Sequence, residues 1–167
     1  ITGSNYSGKS LLGHIFALNE EFLYNYTSIS PQKYFNTNGN LKEPKKKSFL
    51  SLKKDIDQLC YYLGGGFHKY ENERWLRNDY LAGYDYVNFN NKLKNNLHDN
   101  INLPDFYLLW DHFLQQCRVD GQNTLITIFE VENFYQYKKC IFKSLKNAKA
   151  IDVRRKPIDQ ICSQKVD

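Results

Sequence analysis

The segment Gly3–Ser10, Gly-Ser-Asn-Tyr-Ser-Gly-Lys-Ser, is the feature that most constrains what this chain can fold into. It fits the pattern G-x-x-x-x-G-K-[ST], in which the backbone N–H groups of a glycine-containing loop surround phosphate oxygens. Such a loop needs a strand before it and a helix after it, because the helix N-terminus adds a partial positive charge. Ile1–Thr2 is typical of a strand end, and Lys9–Leu23 has the apolar spacing of a helix. We therefore predict a phosphate-binding loop that uses Asn5, Tyr6, Ser7, Gly8, Lys9 and Ser10.

The rest of the chain predicts further helices and strands in alternation. Apolar residues at helical spacing predict helices from Ser48 to Leu63, from Pro104 to Cys117 and from Asn133 to Leu145. Short apolar segments at Thr124–Phe129 and Ala148–Val153 predict buried strands. This order favours the α/β class: a three-layer P-loop-type fold with a central parallel sheet flanked by helices.

The length of 167 residues suits a single domain. The chain has no Met, begins at a strand end and stops within a helical pattern, so we expect residues 1–167 to be one domain truncated at both ends. No apolar run approaches the ~18–20 residues that cross a bilayer, which predicts no membrane segment. The four cysteines are scattered singly, which argues against a zinc or dithiol site and favours a reducing, cytoplasmic compartment, with a disulfide left open.

The formal net charge is +5 and the pI is about 8.9. The basic residues cluster at Lys42–Lys54 and at Lys138–Lys156. A positive field favours an anionic partner such as a nucleotide, an acidic glycan or nucleic acid, although a solvated basic face explains the clusters equally well. Because the opening loop points to a nucleotide, we expect no nucleic-acid partner, and the oligomeric state is left open.

The closing segment Arg155–Ser163, Arg-Lys-Pro-Ile-Asp-Gln-Ile-Cys-Ser, resembles the 3′-phosphate-binding segment of sulfotransferases that use 3′-phosphoadenosine 5′-phosphosulfate (PAPS). In that family a strand ends in Arg, and Pro, Asp and Ser follow two, four and eight positions later. Arg155, Pro157, Asp159 and Ser163 match each spacing. The resemblance implies that Arg155 and Ser163 bind the 3′-phosphate, while the opening loop binds the 5′-phosphosulfate. A guanidinium suits this role because its planar donors match a phosphate bidentately.

The opening loop departs from the sulfotransferase pattern at two positions. The family has Lys or Arg where this chain has Tyr6, and Thr where it has Lys9, although Lys9 can supply the missing cation from the other side. Two alternatives therefore stay open. One is a P-loop kinase or NTPase that uses MgATP, with Glu130 after the strand as the Mg²⁺-binding acid. The other is a catalytically degenerate nucleotide-binding scaffold.

Sulfuryl transfer needs a base for the acceptor's proton and cations for the leaving oxygen, and it needs no metal. We predict His68 as the base because it follows the flexible glycines at 64–66, with Lys9 as the catalytic cation. Glu130 is a second candidate base, or alternatively a helix-capping acid. The acceptor is expected to be a small-molecule or glycan hydroxyl or amine. The aromatic residues from Tyr61 to Tyr86 either bind it or pack the interior.

Overall fold

The computed structural model describes residues 1–3, 8–17, 22–25, 30–61, 85–118, 126–129 and 134–156. These residues are mostly helical. The helices are α1 (Lys9–Ala17), α2 (Pro31–Tyr34), α3 (Lys45–Tyr61), α4 (Tyr86–Asn96), α5 (Leu103–Gln116) and α6 (Phe134–Ser144). The strands are β1 (Thr2–Gly3), β2 (Phe22–Asn25), β3 (Ile126–Phe129) and β4 (Asp152–Val153).

Side-chain caps determine where two of the central helices begin. The Asn102 side chain accepts a hydrogen bond of 2.9 Å from the N–H of Asp105 at the start of α5. The Asp85 side chain accepts one of 3.0 Å from the N–H of Asn88 at the start of α4. Each cap satisfies a backbone donor that the first turn of a helix leaves without a partner.

The hydrophobic core is built from helices and the loops that join them. Leu52 and Ile56 of α3 have no exposed surface, and one helical turn separates them, so they form a single apolar face. Phe89 of α4 meets Trp110 of α5 edge to face, with ring centroids 4.9 Å apart. The other residues with under 2% exposure are Tyr34, Phe35, Leu93, Ile101, Leu103, Phe106, Leu114, Cys117 and Tyr137. All of them lie between residues 34 and 137, so helix packing supplies the main buried apolar surface.

The strands form two separate parallel pairs. β1 pairs with β4, with Thr2 opposite Asp152 and Gly3 opposite Val153. β2 pairs with β3, from Phe22 opposite Ile126 to Asn25 opposite Phe129. Within the described ranges the two pairs do not join. The predicted three-layer α/β fold with a central parallel sheet is therefore wrong: strands of two to four residues cannot bury enough surface to organise a core, and the helices do so instead.

Two predicted segments also differ in detail. The first helix ends at Ala17, and the apolar residues Phe22 and Leu23, assigned to it from their spacing, belong to β2. A short apolar run fits the residue spacing of a helix and of a strand, so spacing alone does not distinguish the two. The structure also contains α2, for which the sequence predicts no helix, and α3 begins at Lys45, before the predicted start at Ser48. In the part of the chain that the structure describes, every helix is too short or too polar to cross a membrane.

Candidate functional site

The opening loop and the closing basic segment leave the β1–β4 pair at the same end. The N–H of Thr2 donates to the carbonyl oxygen of Ile151 at 2.9 Å, and the two strands run parallel. The chain after β1 therefore leaves the pair at the end where residues 154–156 follow β4. We call this end of the pair the β1–β4 edge. The carboxyl ends of parallel strands are the usual place for ligands in α/β proteins, and here they adjoin both predicted phosphate-binding segments.

Gly8 adopts the backbone conformation that the loop needs in order to enter α1. Its φ is +95°, a region that residues with a side chain rarely adopt. The N–H of Leu12 donates to the Gly8 carbonyl at 3.0 Å, the first helical bond of α1. A Cβ placed on Gly8 would meet nothing within 4 Å, so glycine is required by the backbone and not by crowding.

Lys9 is the first residue of α1 and is only 6% exposed. Lysines are seldom buried this far, because removing an ammonium group from water is costly. Lys9 begins a nine-residue helix, whose N-terminus carries a partial positive charge. Asn5, Tyr6 and Ser7 of the predicted loop lie outside the described residues, and so does the side chain of Ser10.

A ring of three side chains closes the end of β4. The Tyr135 hydroxyl donates to Asp152 Oδ2 at 2.5 Å, and Arg154 Nε donates to the same oxygen at 2.7 Å. Arg154 Nη2 lies 3.4 Å from the Tyr135 hydroxyl and completes the ring. The bonds from Tyr135 and Arg154 hold the pKa of the Asp152 carboxyl below its usual range, and the carboxylate raises the pKa of Arg154. The carboxylate and guanidinium therefore stay charged at neutral pH.

Positive charge dominates this part of the surface. Residues 134–156 contain eight lysines and arginines and a single acid, Asp152. Arg154, Arg155 and Lys156 are all exposed, directly after β4. These three side chains give the end of β4 a positive charge that favours an anionic ligand.

The remaining predicted site residues are not brought to this edge by any described contact. His68, Glu130 and Ser163 lie outside the described residues, so their roles stay predictions. The strand before Glu130, β3, pairs with β2 and not with β1. Of the aromatic residues predicted to bind an acceptor, Tyr86 is 5% exposed and belongs to the helical core, so its described role is packing.

Sequence reasoning missed the ring formed by Tyr135, Asp152 and Arg154. Its one local signal is the Asp-x-Arg spacing, since residues two apart on an extended chain lie on the same side. The third member comes from α6, 17 residues earlier than Asp152, and nothing in the local sequence indicates that contact.

Comparison with known proteins adds no relative, because no family model, curated protein or solved structure matches the sequence. Within the described ranges, no three His, Cys, Asp or Glu side chains group in a way that could hold a metal ion. A metal-independent reaction nevertheless stays a prediction, since the described ranges omit part of the chain. The geometry of the β1–β4 edge is what bears on function.

Proposed function

We propose that this protein binds PAPS at the β1–β4 edge and transfers its sulfuryl group to a hydroxyl or amine acceptor. The observation that supports the proposal best is the parallel pairing of Thr2 with Asp152 and of Gly3 with Val153. That pairing joins strand residues that are 150 apart in sequence, and each strand directly precedes one of the two predicted phosphate-binding segments. The proposal concerns this site and not the overall architecture, which is mostly helical.

The two segments suit the two charged ends of such a nucleotide. The backbone at Gly8 and the N-terminus of α1, together with Lys9, would hold the 5′-phosphosulfate. Arg155 would hold the 3′-phosphate with its planar donors, and Ser163 would add a hydroxyl. A ligand with anionic groups at both ends binds best where cations are fixed at matching places, since little freedom is then lost on binding.

The transfer itself needs few parts. The acceptor oxygen forms a bond to sulfur while the bond between sulfur and the bridging phosphate oxygen breaks, and a base takes the acceptor's proton. Lys9 would stabilise the negative charge that develops on the leaving phosphate oxygen. His68 is the proposed base, with Glu130 as the second candidate. Substitution of His68 should therefore abolish turnover while PAPS binding persists.

Calorimetric titration with 3′-phosphoadenosine 5′-phosphate (PAP), compared with MgATP, tests the nucleotide. We expect PAP to bind without Mg²⁺ and Arg155→Ala to weaken it by at least about tenfold, because a charge-assisted bond contributes roughly 1.5–3 kcal/mol. Lys146→Ala is the matched control: this exposed residue lies between α6 and β4, and its replacement also removes one positive charge. It should change PAP affinity by less than about twofold, given the small effect of one distant surface charge.

Two results would contradict the proposal. Binding of ATP alone, and only with Mg²⁺, would support the kinase or NTPase that the complete Lys9–Ser10 motif also permits. An equal loss of PAP affinity in Arg155→Ala and Lys146→Ala would indicate attraction to net charge and no specific site. Transfer of radiolabelled sulfate from PAPS to a panel of acceptors then separates an enzyme from a scaffold, since a scaffold binds PAP without turnover.

A further inference from the structure

The ring at the end of β4 ties that strand to α6. Both donors converge on one oxygen, Oδ2 of Asp152, whose side chain is 25% exposed. Tyr135 comes from the first turn of α6, so its bond joins the start of that helix to the last part of the strand. The ring therefore fixes the backbone immediately before Arg155.

Stability alone does not explain this ring. The Arg154 side chain is 82% exposed, and an ion pair that is this open to water contributes little to stability. Attraction of an anion does not explain it either. Asp152 is the one acid among the eight cations of residues 134–156, and a carboxylate at a cationic edge weakens the field that draws an anion in.

We propose that Asp152 is a positioning residue for Arg155, a role that rests on the proposed binding of a 3′-phosphorylated nucleotide at this edge. The ring holds Asp152 and Arg154 together on the side of α6, directly before Arg155. Without it, either of the two consecutive arginines could meet the 3′-phosphate after a small rotation of the chain. By engaging Arg154, Asp152 would restrict the directions that the Arg155 side chain can take toward the ligand.

If Asp152 positions Arg155, replacing Asp152 should weaken PAP binding, whereas an effect of charge alone should strengthen it. Asp152→Ala removes a negative charge, so charge alone would strengthen the binding of any anion. If Asp152 positions Arg155, the substitution weakens PAP by about fivefold to tenfold, as expected when a binding group loses its fixed geometry. The affinity for 5′-AMP, which lacks the 3′-phosphate, should stay unchanged.

Two milder variants sharpen the test. Asp152→Asn keeps an oxygen that accepts from Tyr135 and Arg154, so it should retain more PAP affinity than Asp152→Ala. Tyr135→Phe removes only a hydroxyl, with no change of charge, and should also weaken PAP selectively. Asp99→Ala is the matched control, because it removes an exposed acid from the turn between α4 and α5.

Calorimetry of the wild type and these variants with PAP and with 5′-AMP measures both affinities and so distinguishes positioning from charge. Thermal melting of each variant checks that it is folded. Selective loss of PAP affinity in Asp152→Ala and Tyr135→Phe, with Asp99→Ala unaffected, supports positioning. Equal or tighter PAP binding by Asp152→Ala overturns it, as does a parallel loss of 5′-AMP. If the wild type binds no PAP, the proposed function fails as well. If Arg155→Ala loses PAP while the Asp152 and Tyr135 variants do not, only the positioning role fails.

Discussion

Replacing Leu52 by alanine tests whether packed helices form the core. Leu52 has no exposed surface and lies on the buried face of α3. Leucine carries three more carbon atoms than alanine, so at about 0.8 kcal/mol for each buried methylene the lost transfer free energy is about 2.4 kcal/mol. The cavity left behind adds to this, which gives a destabilisation of about 3 kcal/mol within the usual range of 2–5.

The same helix offers a matched control at Leu50. Its side chain is 57% exposed, so Leu50→Ala makes the same chemical change and should alter the free energy of unfolding by less than about 0.5 kcal/mol. Urea unfolding followed by far-ultraviolet circular dichroism measures both variants, and an unchanged m-value supports reading the midpoint shift as stability. A cost under about 1 kcal/mol for Leu52→Ala, or equal costs at the two positions, would refute the assignment of α3 to the core.

Three further perturbations follow from described contacts. Asn102→Ala removes the cap of α5 and should cost about 1 kcal/mol in urea unfolding. Gly39→Ala should cost more than about 1 kcal/mol in the same assay, because Gly39 has a φ of +82° and a Cβ there would lie 3.1 Å from Cys140 Sγ. Burial alone would raise the pKa of Asp55, but hydrogen bonds from Lys33 and Tyr34 lower this pKa. The ionised Asp55 therefore stabilises the fold at a pH above its ordinary pKa, and this stability is lost as the pH falls through the lowered pKa. Unfolding midpoints measured from pH 6 to pH 3 should fall less steeply in Asp55→Asn than in the wild type.

The main helices could be predicted from the sequence because their signal is local. The spacing of Leu52 and Ile56 shows the face that α3 buries, and the structure places both in the core. Pro104, at the start of the predicted Pro104–Cys117 helix, lies in the first turn of α5, which begins at Leu103. Helix caps and apolar spacing depend on residues that are close in sequence, so both can be recognised in a single sequence.

Strand pairing could not be predicted in the same way. Residues 126–129 indicate a strand, but nothing in these four residues indicates that β2 will be its partner. The alternation of strands and helices suggested a sheet-based core, and the strands proved too short to build one. At the site, the motif and the resemblance predict phosphate binding by the loop and by Arg155, which stays a prediction, whereas the Tyr135–Asp152 contact depends on how α6 folds back onto β4.

The central claim is that the opening loop and the segment after β4 together form one nucleotide site. Titration of ¹⁵N-labelled protein with PAP, followed by amide NMR, tests this most directly. The amides of Gly8, Lys9, Arg155 and Lys156 should shift together along one binding curve, while that of Leu50 on α3 stays in place. Shifts confined to one of the two segments, or two curves with different midpoints, would contradict the claim.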